Sequence, residues 1–212
     1  MDQLFLLFDR ICRLSDGLRI YIERHLKKKK IKKGEIILRE GQVARHIYFI
    51  EQGIVRSYRY KKGKERTSWI MKEGDLFLSV GSFFSRTPAR ENIQAMKDCV
   101  LYYITHEQLE TAYRDFPEFN LHGRRILQYY YELSEKRNEM REWPAYDRFE
   151  FLMAHQPDLI GKVPEKLLAS YLGMAPETFS VQKSKFANKN KKEVNMKVSR
   201  KTNQRRKKTN KL

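Results

Sequence analysis

The sequence predicts an α+β chain in which a β-sandwich or barrel is followed by one long helix and a small helical domain. Between Ile31 and Ile104, short runs rich in β-branched and aromatic residues alternate with Gly34, Gly41, Gly53, Gly63, Gly74 and Gly81. Many short strands punctuated by glycine turns are the texture of an all-β unit. From Thr105 onward the apolar period turns helical, and near the end Gly173 separates two short amphipathic segments.

The elements follow in order. Leu4, Leu7, Phe8, Ile11 and Leu14 recur at helical spacing, and a second helical piece spans Asp16 to Leu26. The strand runs are Ile36–Leu38, Ile47–Ile50, Ile54–Tyr60, Thr67–Met71, Leu76–Leu78, Ile93–Met96 and Val100–Ile104. Thr105, with Gln108 three residues on, forms a capping box ahead of Leu109, Ala112 and Tyr113. Pro117 breaks that helix and a longer one runs from Glu118 to Trp143, where Trp143-Pro144 stops it, because the residue before proline avoids the α region.

On the long helix Phe119, Ile126, Leu133 and Met140 fall seven apart, with Tyr130 at an intervening position. Such a heptad seam suits a parallel pair of helices and predicts a homodimer interface, the alternative being packing against the chain's own barrel. The expected divisions are residues 1–117 for the barrel with its helices and 118–143 for the dimerisation helix. A helical domain over 144–190 and a mobile basic tail over 191–212 complete the chain.

The chain has 212 residues, 41% of them hydrophobic and 12% aromatic, enough to build a core. Its 44 basic and 26 acidic side chains leave a net charge of +18, which favours phosphate polyanions as partners. Eleven Lys or Arg against the single acid Glu193 lie between Ala187 and Leu212. Two cysteines, Cys12 and Cys99, make no disulfide framework and fit a reducing compartment. Without a secretory signal or an apolar span of membrane length, a cytoplasmic protein with no membrane partner is expected.

The most informative stretch is Val163–Phe186. Leu167, Leu168, Tyr171 and Leu172 form the inner face of one helix, Gly173 supplies the turn, and Pro176 opens the next helix, anchored by Phe179 and Phe186. The outer face offers Glu177, Thr178, Ser180, Val181, Gln182, Lys183 and Lys185. Short polar and basic side chains of this kind are what a helix in the DNA major groove presents. Double-stranded DNA is therefore the expected partner, read through Glu177, Thr178, Ser180, Gln182, Lys183 and Lys185.

The order of barrel, long helix and helix-turn-helix, with Ala169-Ser170-Tyr171-Leu172-Gly173 and Pro176-Glu177-Thr178-Phe179-Ser180, resembles the Crp–Fnr family of transcription regulators from Leu4 to Phe186. The resemblance implies a jelly-roll barrel of the cyclic-nucleotide-binding kind and a winged helix-turn-helix, with Val194, Met196 and Val198 alternating as a wing strand. It implies that Glu177 contacts a cytosine amino group or a neighbouring phosphate-bound side chain, and that Thr178 and Ser180 hold phosphate or base edges. It makes RNA polymerase a further candidate partner. Where the family carries an arginine after the serine, this chain has Val181, which removes a guanine-reading contact.

The same resemblance places an effector pocket at Phe77, Ser79, Val80, Arg90 and Asn92. The family's phosphate-binding arginine falls on Ala89, and Arg90 is one step displaced, which in a strand turns a side chain to the opposite face. This argues against cyclic AMP and leaves either another small effector or none. No cofactor is evident: the cysteines are too far apart for an iron–sulfur cluster. His25, His46, His106, His122 and His155 lack metal spacing and read as surface or capping residues. No nucleophile–base pairing is present, so no enzyme is expected. The rival reading is a ligand-binding or protein-interaction module with a degenerate DNA-binding end.

Overall fold

A computed structural model describes residues 1–191 and divides the chain into two compact units, Met1–Asn138 and Glu139–Leu212. Apart from Lys191, the basic tail and the wing strand expected at Val194–Val198 lie outside the described residues.

The first unit opens with helices α1 (Asp2–Ile11) and α2 (Asp16–His25). Their stripes, Leu4, Phe5 and Phe8, then Leu18 and Ile22, are buried. Eight strands follow: β1 (Lys27–Ile31), β2 (Ile36–Leu38), β3 (His46–Gln52), β4 (Ile54–Lys61), β5 (Lys64–Lys72), β6 (Leu76–Phe77), β7 (Asn92–Ala95) and β8 (Cys99–Thr105). They form two antiparallel sheets of order β1-β8-β3-β6 and β2-β7-β4-β5, the jelly-roll arrangement. The core between them holds Phe49, Ile50, Val55, Ile93 and Leu101, each at most 2% exposed.

Gly53 is the only residue between β3 and β4, which belong to different sheets, and it adopts φ +113°. A side chain there would meet Cys99 Sγ at 2.5 Å and the carbonyl oxygen of Asp98 at 2.8 Å. The chain turns this corner against another strand's backbone, where only glycine fits.

Two elements were not foreseen. Lys27–Lys30 belongs to β1, an end strand of its sheet whose register with β8 runs from Lys27 opposite Tyr103 to Ile31 opposite Cys99. A short helix α3 (Val80–Ser85) interrupts the barrel after β6. The capping box at Thr105 is present: the Gln108 N–H donates to Thr105 Oγ1 at 3.1 Å and the Thr105 N–H to Gln108 Oε1 at 2.8 Å. It starts α4 (His106–Asp115), and α5 (Phe119–Met140) is the long helix.

The seam expected to face a partner is corrected here. Phe119 is 5% exposed inside its own core, with its ring 5.6 Å from Phe8 and 5.2 Å from Tyr113. Ile126 packs on the same cluster. Gly123 lets the helix come so close that an added Cβ would collide with the Tyr113 phenol. Leu133 is half-buried and Met140 is buried. The heptad is real, but its first turns cover the barrel of the same chain. His122, expected as a surface or capping residue, is instead fully buried, with its ring against those of Phe8 and Phe119.

In the second unit α6 (Ala145–His155), a short 3-10 turn Pro157–Leu159 and α7 (Glu165–Tyr171) precede a final helix, α8, over 176–191. Phe149, Leu152, Leu159, Leu168, Ala169 and Phe179 are each at most 1% exposed. The Phe149 ring lies edge-on to Phe179 at 5.2 Å and to Phe186 at 5.7 Å.

Candidate nucleic-acid interface and ligand cavity

The turn between α7 and α8 is built from local hydrogen bonds. The Leu172 N–H donates to the Leu168 carbonyl at 2.9 Å and Met174 N–H to Ala169 at 2.9 Å, while Gly173 takes φ +66°. The Arg148 guanidinium closes the end of α7, donating to the carbonyls of Leu172 (2.9 Å) and Gly173 (3.1 Å). A cation on the carbonyl end of a helix complements its dipole. The Phe179 N–H donates to Ala175 at 3.0 Å, so α8 begins at Pro176, where no backbone N–H is wanted.

Of the six side chains expected to meet DNA, four are exposed: Glu177, Ser180, Lys183 and Lys185. Thr178 is half-buried. Gln182 is corrected: it is 7% exposed, three residues from Phe179 and four from Phe186, and so shares their inward side. Ser184, four residues beyond Ser180, is exposed in its place and donates to the Ser180 carbonyl at 3.1 Å. Val181 is 49% exposed on the same outer side. Lys183 Nζ lies 2.6 Å from Glu165 Oε1, an exposed pair that contributes at most about 1 kcal/mol and leaves the lysine available to a stronger anion.

The first unit contains a cavity of about 510 Å³ between β-strands, α3 and α5. Tyr48, Trp69, Met71, Phe77 and Tyr130 form its walls, with Ser57 and Glu91 as polar groups among them. The Tyr48 and Phe77 rings stack at 4.9 Å, and burial pushes the Tyr48 phenol up to about 12. Burial raises the Tyr130 phenol as well, while its oxygen accepts the Leu76 N–H at 2.8 Å and ties α5 to β6. Ser57 Oγ donates to the Glu91 carboxylate.

Of the five residues expected in an effector pocket, Phe77 and Val80 line this cavity. Ser79, Arg90 and Asn92 do not. Ser79 is buried at the start of α3, where its carbonyl accepts the Phe83 N–H. Asn92 accepts the Glu40 N–H on a neighbouring loop. Arg90 is exposed and Ala89 is buried, but both lie in the loop before β7, so the strand alternation expected at this pair does not apply. Trp69, Tyr48, Ser57 and Glu91 come from separate strands and loops and share no sequence spacing, so only the fold could bring them together. Their one sequence signal is aromatic richness in the strand runs. No group of three His, Cys, Asp or Glu side chains among the described residues has the arrangement of a metal site. No described helix is long and apolar enough to cross a membrane.

Residues 28–116 match the family model for the cyclic nucleotide-binding domain. By sequence the chain matches no curated protein. Its fold is shared by solved structures at low identity. FixK2 from Bradyrhizobium japonicum is 21% identical with a TM-score of 0.68, over 78% of this chain and 86% of that one. A mutant CooA from Carboxydothermus hydrogenoformans is 22% identical with a TM-score of 0.62, over 82% and 79%. A protein from Eubacterium rectale assigned to the Crp/Fnr transcriptional regulators is 20% identical with a TM-score of 0.67, over 89% of each chain.

Proposed function

We propose that this chain, which has a cyclic nucleotide-binding domain and the fold of the Crp–Fnr regulators, is a DNA-binding transcription regulator and not an enzyme. The observation that carries the reading is the outer side of α8. Glu177, Ser180, Val181, Ser184 and Lys185 are all exposed on a helix whose other side is held by Phe179. A short-side-chain surface of this kind, on the second helix of a helix-turn-helix, fits the major groove.

Two copies would pair through α5. With Phe119 committed to its own core, the pairing side passes to Leu127 and Tyr131, one helical turn apart and 61% and 63% exposed. Charged replacements there, Leu127→Glu with Tyr131→Glu, are expected to convert a dimer to monomers in sedimentation equilibrium while leaving the far-UV circular dichroism unchanged. A monomeric wild type would refute the pairing.

Each dimer would read two half-sites roughly 34 Å apart. Selection from random-sequence DNA is expected to enrich a pseudo-palindrome with that spacing. Failure to enrich one would favour a ligand-binding module with a degenerate DNA-binding end. Lys183 and Lys185, with the basic residues that follow them in sequence, would supply phosphate attraction. Lys183→Ala and Lys185→Ala should each flatten the plot of log affinity against log salt by about one unit of slope. Unchanged slopes would remove both lysines from the interface.

The barrel cavity is the candidate effector site. Ile126, Leu127, Tyr130 and Ser134 of α5 line it, so an occupant touches the helix that runs on to Met140. A ligand that prefers one arrangement of α5 would shift the population competent for DNA.

A further inference from the structure

We propose that the barrel cavity selects an apolar ligand bearing a protonated amine, with Glu91 accepting the ammonium. The inference rests on the reading of this cavity as the effector site and names its ligand class.

Three observations carry it. First, none of the described side chains lining the cavity is Lys, Arg or His, whereas Glu91 lines it. A phosphate or carboxylate ligand would meet a like charge and no counter-charge. The chain as a whole carries +18, so the cavity lining is opposite in sign to the net charge. Second, the Glu91 carboxylate forms no ion pair among the described residues; the hydrogen bond it accepts comes from Ser57, which is 4% exposed. A half-buried carboxylate beside aromatic walls is short of positive charge, and an ammonium supplies it with charge-assisted hydrogen bonds. The neighbouring guanidinium of Arg56 is already engaged, by Glu65 at 2.5 Å and by Gln94 at 2.6 Å. Third, the remaining walls are mainly hydrocarbon and π-faces, including Trp69, Tyr48 and Phe77. They shelter an alkyl or aryl body by burial and hold a nearby cation through ring quadrupoles.

The test compares n-octylamine with octanoate, which share a tail length and differ in the sign of the head. Full-length protein carrying Trp143→Phe leaves Trp69 as the single indole, so emission reports on the cavity wall. Octylamine is expected to saturate the emission change with at least about ten-fold higher affinity than octanoate. The overall positive charge of the protein predicts the opposite order, so non-specific adsorption cannot imitate the result. Glu91→Gln should lower octylamine affinity about ten-fold and leave octanoate equal or improved. An unchanged ligand-free Trp69 spectrum will show that this near-isosteric variant retains the barrel. Equal or tighter octanoate binding by the unaltered chain would overturn the proposal without recourse to any Glu91 variant. So would saturable cyclic AMP binding that Glu91→Gln does not affect. The readout contains no DNA: amine binding that leaves DNA affinity untouched upholds the ligand class and refutes effector gating.

Discussion

Phe179→Ala is expected to remove about 3–5 kcal/mol from the stability of the C-terminal unit and to abolish sequence-specific DNA binding with it. Phe179 is fully buried, and its ring meets Phe149 edge-on, the side chain around which α6 and α8 close. Truncation leaves a void against the Phe149 ring in a unit too small to absorb the loss. Thermal unfolding followed by Trp143 emission, in a Trp69→Phe background, should show the C-terminal transition displaced to lower temperature. Val181→Ala, on the opposite and exposed side of the same helix, should leave that transition within about 0.5 kcal/mol of the parent. If Phe179→Ala behaved like Val181→Ala, the helix-turn-helix core described above would be wrong.

Gly53→Ala should disrupt the barrel by about 2–4 kcal/mol. Two costs combine at this corner. The backbone sits at φ +113°, which L side chains rarely adopt, and the new methyl would press on the Asp98 carbonyl and on Cys99 Cα at 2.9 Å. Neither neighbour is a flexible side-chain tip, so β8 itself would have to retreat. Gly63→Ala separates the two costs, because Gly63 has φ +70° but nothing within 4 Å of an added Cβ. It should lose about 1 kcal/mol in urea unfolding monitored at Trp69. Equal losses at both positions would mean that the contact with β8 is unimportant.

The all-β unit was legible because β-branched runs and glycine turns report strand length and strand ends directly, whereas its jelly-roll topology was an implication of the family resemblance. The Thr105–Gln108 capping box was legible for a similar reason: both partners lie within one turn. What failed was any inference that depended on where an element's second face points. The Phe119 heptad is correct as a period, yet a period does not say whether the covering surface belongs to a partner or to the same chain. Here the close approach permitted by Gly123 settles the matter at that end of α5. Gln182 was placed on the outer face of α8 because its side chain is polar, and the 179-182-186 spacing overrides that chemistry. The Lys27–Lys30 strand was missed because lysine has low strand propensity and pairing with β8 supplies what propensity does not. The cavity walls were missed because they converge from distant parts of the chain. Residues chosen by local resemblance, Ser79, Arg90 and Asn92, fall outside it.

The four consecutive lysines of β1 have one more consequence. An end strand with unpaired amides is an open template onto which another chain could add, the first step of ordered aggregation. Lys27, Lys28, Lys29 and Lys30 are all exposed, so a second copy approaching edge to edge would bring the same row of ammonium groups against it. The repulsion keeps this border of the sheet from growing into a fibril, and it fades as salt rises or as alkali strips the lysines of their protons.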